Sequence, residues 1–384
     1  MHSLPPPHSD AILHSQRLTT TIITAIEQAG GIIPFDEFMR RALYTPGLGY
    51  YSAGMRKFGA DGDFVTAPEI TPLFAQCIAQ QCQQVLADFE SGVILEFGAG
   101  SGIMAVDILK TLEELDCLPA HYFILEVSSD LQQQQKAMFQ AQAPHFLPLV
   151  EWLSKLPAEP LQGVILANEV MDAIPIQIFT VQADDISESH IAYADNSFHW
   201  QEQVTSNEML QQAVTDLELP VGYVSEINLA LPAWIQSVAN ILETGMVLLI
   251  DYGFPNKEFY HPQRNKGTLM CHYRHHSHID PLILVGLQDI TAHINFTAVA
   301  EAAVDANLHV AGYTTQANFL LACGLADILF SLNPDDKQNY LKQAQQVKTL
   351  ILPSEMGELF KVMALTRNLD IPLLGFSKDE RTRL

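Results

Sequence analysis

The run Glu96-Phe97-Gly98-Ala99-Gly100-Ser101-Gly102 stands between a short apolar stretch and a helical one. Glycines at alternate positions let a backbone turn tightly and let a ligand approach without interference from Cβ atoms. A dinucleotide fingerprint of the form G-x-G-x-x-G needs glycine at position 103, where this chain carries Ile103. Glu96, two residues ahead of the first glycine, suits a cation. Glu126 closes the next apolar run, HYFILEV. A carboxylate there accepts two hydrogen bonds from the vicinal hydroxyls of a ribose, or is simply an exposed acid at a strand end. The third chemical stretch is Ala167-Asn168-Glu169-Val170-Met171-Asp172-Ala173-Ile174-Pro175. Glu169 and Asp172 could grip one guanidinium and orient its terminal nitrogen for attack, with Asn168 beside them. Asp172 could equally cap the turn that follows.

Such residues work only if the chain places them together. From Gly92 onward, short apolar runs alternate with helical stretches: GVILEFGAG, a helix to about Leu115, HYFILEV, a Gln-rich helix, GVILANEV, and later GMVLLIDYG. That alternation predicts an α/β fold built on a doubly wound parallel sheet. Ligands of such sheets sit beyond the carboxyl ends of the strands, which would bring the glycine run, Glu126, Asn168, Glu169 and Asp172 to one crevice. Asp251, in LLIDYGF, is a further carboxylate candidate at that rim. Between GVILANEV and GMVLLIDYG, the runs IQIFTV, HIAYAD and SFHWQEQV read as antiparallel strands, followed by helices over Glu208–Leu217 and Pro232–Leu242. These form an insertion at the sheet's edge.

Upstream, residues 1–15 read as a loose Pro/His tail and Gln16–Gln28 as a helix. PFDEFMRRALY carries proline and acids at its start and arginines later, the order a helix dipole favours. Thr45–Glu69, dense in Gly, Pro and aromatic residues, is long for an idle connection and reads as a lid. Downstream come the irregular NKGTLMCHYRHH, DITAHINF as a strand, helices near 297–307, 315–323 and 334–350, and MGELFKVMALTR as a last strand. The expected organisation is 1–90 for N-terminal helices and lid loop, 91–175 for the first part of the parallel-sheet domain, 176–243 for the inserted substrate region and 244–384 for the remainder of the sheet domain with C-terminal helices and strand. No internal repeat occurs, and QQQQ at 132–135 is too short to count as low complexity.

Composition narrows the classes further. Apolar residues make up 48% and charged residues 17% of the 384 positions, against roughly 25% charged in ordinary soluble domains, which excludes disorder, collagen and long coiled coils. Twenty Lys and Arg against 44 Asp and Glu give a net charge of −24. Such a surface repels phosphate backbones and anionic headgroups, so no nucleic-acid or membrane partner is expected, and it steers a basic partner inward. The apolar stretches Met246–Ile250 and Pro281–Leu287 fall short of the ~20 residues of a membrane span. The five cysteines, Cys77, Cys82, Cys117, Cys271 and Cys323, form no C-x-x-C pair and read as reduced, buried thiols. MHSLPPPHSD lacks the basic-then-apolar pattern of a signal peptide, so a cytoplasmic location is expected. His272, His275, His276 and His278 lack ordered metal-ligand spacing, so no metal is expected. Ser101 and Ser128 have no base beside them in any motif, and Arg56, Lys57 and Arg274 are either anion ligands or plain surface charges.

The G-x-G-x-G spacing behind an acid resembles motif I of S-adenosylmethionine methyltransferases, whose cofactor carries an ammonium and a sulfonium in place of a pyrophosphate. Over nearly the whole chain the sequence resembles the MidA-like methyltransferase family, which includes the mitochondrial arginine methyltransferase that assists complex I assembly. The resemblance rests on PFDEFMRRALYTPGLGYYS, GDFVTAPEITPLF, LEFGAGSGIMAVDIL, LEVSSDLQQQQ, ANEVMDAIPI, LLIDYG, GTLMCHYRHH, DITAHINFTA and MGELFKVMAL, all in family order. It implies a Rossmann-like domain that binds S-adenosyl-L-methionine through Gly98, Gly100, Gly102 and Glu126. It also implies a reacting centre near Asn168, Glu169 and Asp172, and ω-nitrogen dimethylation of an arginine in a subunit of NADH:quinone oxidoreductase. The partner implied is a protein with an accessible arginine, and a homodimer stays open. Ile103-Met104 stands where family members often carry Leu-Ala, a departure that leaves the backbone cradle intact. Two other readings compete: an NAD(P)- or FAD-dependent oxidoreductase, which the missing glycine at 103 disfavours, and a non-catalytic assembly chaperone that keeps S-adenosylmethionine only as structure.

Overall fold

The computed structural model describes residues 4–53, 66–331 and 337–384. Arg56 and Lys57, and the part of the expected lid at 54–65, lie outside the described residues. The chain divides into two compact units, each discontinuous in sequence. Val65–Met171, Pro232–Pro255 and Ile294–Leu384 form one, while Met1–Phe64, Asp172–Leu231 and Asn256–His293 form the other.

The first is the expected α/β unit. Five strands run parallel, in the spatial order Leu242–Phe254, Leu161–Asn168, Val93–Phe97, Tyr122–Leu125 and Val150–Leu153. Phe360–Arg367 pairs antiparallel with Leu242–Phe254 and His309–Thr315 pairs antiparallel with Phe360–Arg367. The short strand Ile294–Asn295 joins the end of Leu242–Phe254. Val164 to Ala167 and Met246 to Ile250 are buried without a break, because helices cover both faces of the sheet and keep the middle of the inner strands from water. One covering helix, Pro72–Leu86, turns Leu73, Phe74, Cys77, Ile78, Cys82 and Val85 inward. Its start is set by Pro72 and by the Thr71 hydroxyl, which accepts the Leu73 N–H. From Val93–Phe97 the strands proceed outward to Val150–Leu153, and the chain then returns to the opposite side as Leu161–Asn168. Such a reversal of strand order opens a crevice beyond the carboxyl ends of the two strands that flank it.

The second unit is built from antiparallel pairs. Ile186–Ala194 pairs with Ile32–Pro34, Gln177–Val181 and Ser197–Val204, and Val224–Ile227 pairs with Gln177–Val181. Helices Ser9–Gln28 and Phe35–Tyr44 contribute Leu18, Ile22, Ile26, Phe35, Phe38 and Met39 to a core that also holds Ile191, Phe198, Cys271 and Val285. Met270–Tyr273 lies between His276–His278 and Asp289–Thr291 in a separate three-stranded sheet.

Three local expectations change. The first helix begins at Ser9 within the stretch read as a loose tail, because His14 and Ser15 are tied to distant carbonyls, Leu48 O at 2.8 Å and Val285 O at 2.8 Å. DITAHINF is two strands, Asp289–Thr291 and Ile294–Asn295, which belong to different sheets. MGELFKVMALTR opens with a helical turn, Met356–Leu359, before its strand. Among the described residues no helix is long and apolar enough to cross a membrane, and no three His, Cys, Asp or Glu side chains gather to hold a metal ion.

Candidate functional site

The glycine run follows strand Val93–Phe97 and precedes helix Ile103–Glu114. Gly98, Gly100 and Gly102 have φ of +59°, +53° and +85°, a region where an L side chain meets its own backbone. A Cβ built on Gly102 would stand 3.3 Å from the Cα of Gln135, so that residue is also needed for close packing on the helix Ser129–Gln142. Two side chains steady the loop. Ser101 Oγ donates to the Glu69 carboxylate, and Gln135 Nε2 donates to Gly100 O at 3.0 Å.

Glu126 stands just past the end of strand Tyr122–Leu125 and is buried. One carboxylate oxygen accepts the Ser128 N–H at 2.8 Å and the other accepts Gln135 Nε2 at 3.2 Å, while Gln132 donates to the Glu126 carbonyl at 2.7 Å. The neighbouring Val127 is 69% exposed, an apolar side chain left at the rim of the sheet. Glu96, 1% exposed, turns into the interior and accepts the Tyr122 hydroxyl at 2.7 Å. Burial, opposed by that hydrogen bond and helped by the charge of Glu126, pushes its carboxyl up to about 7.

Strand Leu161–Asn168 ends on the other side of Val93–Phe97, and a Cβ built on Gly98 would lie 3.8 Å from Val170 Cγ2. The residues after this strand therefore border the glycine loop. Glu169 has φ +51°, left-handed and uncommon for a side chain of its size, and its N–H donates to Ile250 O at 2.9 Å. Asn168 Nδ2 lies 3.4 Å from a Glu169 carboxylate oxygen, and Asn168 Oδ1 is buried and accepts no hydrogen bond from the described residues. A buried acceptor with no donor is costly and marks a place where a ligand donor fits.

Glu96, the three glycines, Glu126, Asn168 and Glu169 thus gather in the parallel-sheet unit, at or just past the ends of adjacent strands. Asp251 does not join them as a rim carboxylate. It is 0% exposed, and its oxygens accept the Met171 N–H at 3.0 Å and the Tyr252 N–H at 2.9 Å, which fixes the turn that carries Glu169. Asp172 begins the next stretch of the second unit. There its carbonyl accepts the Ala292 N–H at 3.1 Å, and its charge, with that of Asp289, acts on the buried Tyr51 hydroxyl, whose pKa lies well above the usual phenol value chiefly because of burial. Tyr51 Oη is 2.9 Å from both oxygens of Asp289, and Tyr44 stacks on Tyr51 while donating to Ala173 O at 2.9 Å. Tyr44, Tyr51 and Asp289 were not singled out by sequence; the only cue is the aromatic density of the Thr45–Glu69 stretch and its flank.

A sequence profile for S-adenosyl-L-methionine-dependent methyltransferases matches residues 73–314, more than half of the chain. The chain belongs to the MidA-like family of these enzymes. A crystal structure of a Burkholderia thailandensis protein bound to S-adenosyl-homocysteine is 42% identical over all of both chains, with a TM-score of 0.96. Curated relatives include the Drosophila melanogaster protein arginine methyltransferase NDUFAF7 homolog, mitochondrial, 28% identical over 90% of this chain and 86% of its own. The Danio rerio protein arginine methyltransferase NDUFAF7, mitochondrial, is 26% identical over 88% and 84%. With the family established, the chain is a transferase that uses S-adenosyl-L-methionine, and the left-handed glycines, the buried Glu126 and the orphaned Asn168 oxygen fit such a cofactor.

Proposed function

We propose that this methyltransferase acts on an arginine ω-nitrogen of a protein, with a subunit of the respiratory NADH:quinone oxidoreductase as the first candidate acceptor. The curated relatives carry the name protein arginine methyltransferase and align over nearly their whole length. The observation that carries the reading is the turn after strand Leu161–Asn168, where an orphaned Asn168 oxygen and a left-handed Glu169 border the glycine loop.

When bound, S-adenosylmethionine supplies an electrophilic methyl group on a positively charged sulfur. The chain's own residues do the rest. The backbone of Gly98, Gly100 and Gly102 admits the cofactor where side chains would exclude it. Glu126 takes the ribose hydroxyls, and the exposed Val127 offers an apolar surface to the base. Asn168 accepts a hydrogen bond from the cofactor's ammonium group or from the acceptor's N–H. Glu169 holds the guanidinium, keeps its plane fixed and polarises its N–H bonds, so that a proton is shed to its carboxylate as the methyl is transferred. Lysine suits such an acid less well, because its ammonium must lose a proton before it can attack and a neighbouring carboxylate raises its pKa. The chain's balance favours a cationic acceptor too: residues 172–231 hold ten Asp or Glu and no Lys or Arg.

The test is incubation of the purified protein with methyl-labelled S-adenosylmethionine and a lysate of cells that lack it, followed by identification of the labelled residue. Label on an arginine of a protein is the expected result. Label on lysine, or only on a small molecule, overturns the acceptor assignment.

A further inference from the structure

The LQQQQ stretch of helix Ser129–Gln142 does more than cover the sheet. Gln133 and Gln134 are exposed, whereas Gln132 and Gln135, one helical turn apart, face inward. Gln135 is 0% exposed and its amide is saturated from both ends. On one side the Trp152 indole N–H lies 3.0 Å from Oε1; on the other, Nε2 reaches Gly100 O at 3.0 Å and the Glu126 carboxylate at 3.2 Å. An indole nitrogen only donates, so it forces the amide oxygen toward Trp152 and leaves both amide hydrogens for the glycine loop and Glu126. Trp152 is itself held, edge-on to Phe139 with centroids 5.9 Å apart and with Lys136 Nζ 5.0 Å above its ring.

We infer that Gln135, oriented by Trp152, is a positioning residue that locks the glycine loop and the ribose-binding carboxylate into one cofactor-ready arrangement. The inference rests on the assignment of Gly100 and Glu126 to the cofactor. One amide side chain bridges two binding elements that lie on different strands of the sheet. Without it, Gly100 O and the Glu126 carboxylate would lose the one donor they share, and the loop and the acid could drift independently. The Gln135 amide touches neither the reacting atoms nor the transferred methyl group, so its effect is on cofactor affinity and not on the chemical step.

Gln135→Glu replaces the two-hydrogen donor with a group that, when ionised, faces an acceptor carbonyl and a carboxylate. The titratable groups near it among the described residues are Glu126 opposite, Glu96 on the neighbouring strand and Lys136 on its own helix. The experiment is calorimetric titration of S-adenosylhomocysteine into wild type, Gln135→Glu, Gln135→Met and Trp152→Phe from pH 5.5 to 9, with thermal unfolding of each variant. The expected result for Gln135→Glu, as a ratio to wild type, is a loss of about 10- to 100-fold at pH 9 that narrows toward low pH, where the new acid is protonated and donates one hydrogen bond. Gln135→Met, which keeps the volume and removes the donors, should lose affinity by about tenfold at every pH, and Trp152→Phe by less. Affinities of Gln135→Glu and Gln135→Met within twofold of wild type throughout would overturn the inference. So would a Gln135→Glu loss that is flat with pH, which would mean general damage to the fold. Failure of wild type itself to bind S-adenosylhomocysteine would instead strike the cofactor assignment beneath it.

Discussion

Glu126 and Asp289 are both buried acids whose described side-chain donors lie at very different separations along the chain. Glu126 receives the N–H of Ser128 and the amide of Gln135, two and nine residues away. Asp289 receives the N–H of Ile290, one residue away, but its side-chain donor is the hydroxyl of Tyr51, 238 residues away. The difference reflects how each unit is made. In the parallel-sheet unit a strand, its turn and the next helix supply one another's partners, so the cofactor side is built from consecutive sequence. In the second unit three separate stretches of chain must meet before Asp289 has its hydroxyl or Tyr44 its carbonyl. The expectation that follows is a separation of effects: changes near Glu126 act on cofactor affinity, whereas changes near Asp289 act on the second unit and spare it.

The most severe test of that separation is Gly100→Val. A β-branched residue at φ +53° costs about 1 to 2 kcal/mol in local strain and also blocks the approach to the loop backbone. Affinity for S-adenosylhomocysteine should fall by more than about 100-fold, while unfolding remains a single cooperative transition. Unchanged calorimetric affinity would remove the loop from the cofactor site.

Next in size is Glu169→Gln, which keeps shape and deletes charge. It should slow methyl transfer by about 100-fold, the upper end of what one charged hydrogen-bond partner contributes, with cofactor affinity within a few-fold of wild type. A variant that transfers at the wild-type rate does not grip the acceptor.

A matched pair then sharpens the comparison. Glu126→Ala should weaken S-adenosylhomocysteine by about 1.5 to 3 kcal/mol, the worth of hydrogen bonds to a charged acceptor. Tyr51→Phe should leave that affinity alone and lower unfolding stability by about 1 to 3 kcal/mol, because Asp289 keeps the Ile290 N–H but loses the Tyr51 hydroxyl. If Tyr51→Phe also weakens the cofactor, the two sides are coupled and the separation fails.

The same contrast explains what could be read from the amino-acid order alone. GVILEFGAG, HYFILEV, GVILANEV and GMVLLIDYG each announce a covered parallel strand, and all four occur as strands of one sheet, with the glycine run, Glu126 and Asn168-Glu169 at their ends. What stayed hidden depends on distant partners or on backbone detail. HVAGYTT has no strand signature strong enough to show that it becomes an edge strand beside Phe360–Arg367. Asp251 reads as one more acid at a strand end until the Met171 and Tyr252 N–H groups are seen on its oxygens. The Gln run looks like filler because only a helix with a known neighbour turns positions 132 and 135 to the same side.

A pH-dependent effect concerns Glu96, the acid that motif spacing assigns to a cation and that the structure buries under the loop. Its carboxyl is pushed up to about 7 in the folded chain from an ordinary value of 4.5, with burial as the main cause. A carboxyl whose pKa rises on folding binds its proton more tightly when folded. Its favourable contribution is therefore complete below about pH 4.5 and is lost as pH rises toward 7, where the buried group must ionise. Across that window the wild-type chain should lose up to about 3 kcal/mol from this group, and beyond it nothing more. Glu96→Gln keeps an oxygen to accept the Tyr122 hydroxyl and has nothing to ionise. Denaturant unfolding should thus show the variant close to wild type at pH 4.5 and more stable at pH 8. A bound sulfonium would reverse part of this, since positive charge nearby favours the ionised acid: S-adenosylmethionine should stabilise wild type more than Glu96→Gln, and neutral S-adenosylhomocysteine should show a smaller gap. An equal stability difference at both pH values would mean that Glu96 does not titrate in this range, and an equal gap with both ligands would place it out of reach of the cofactor's charge.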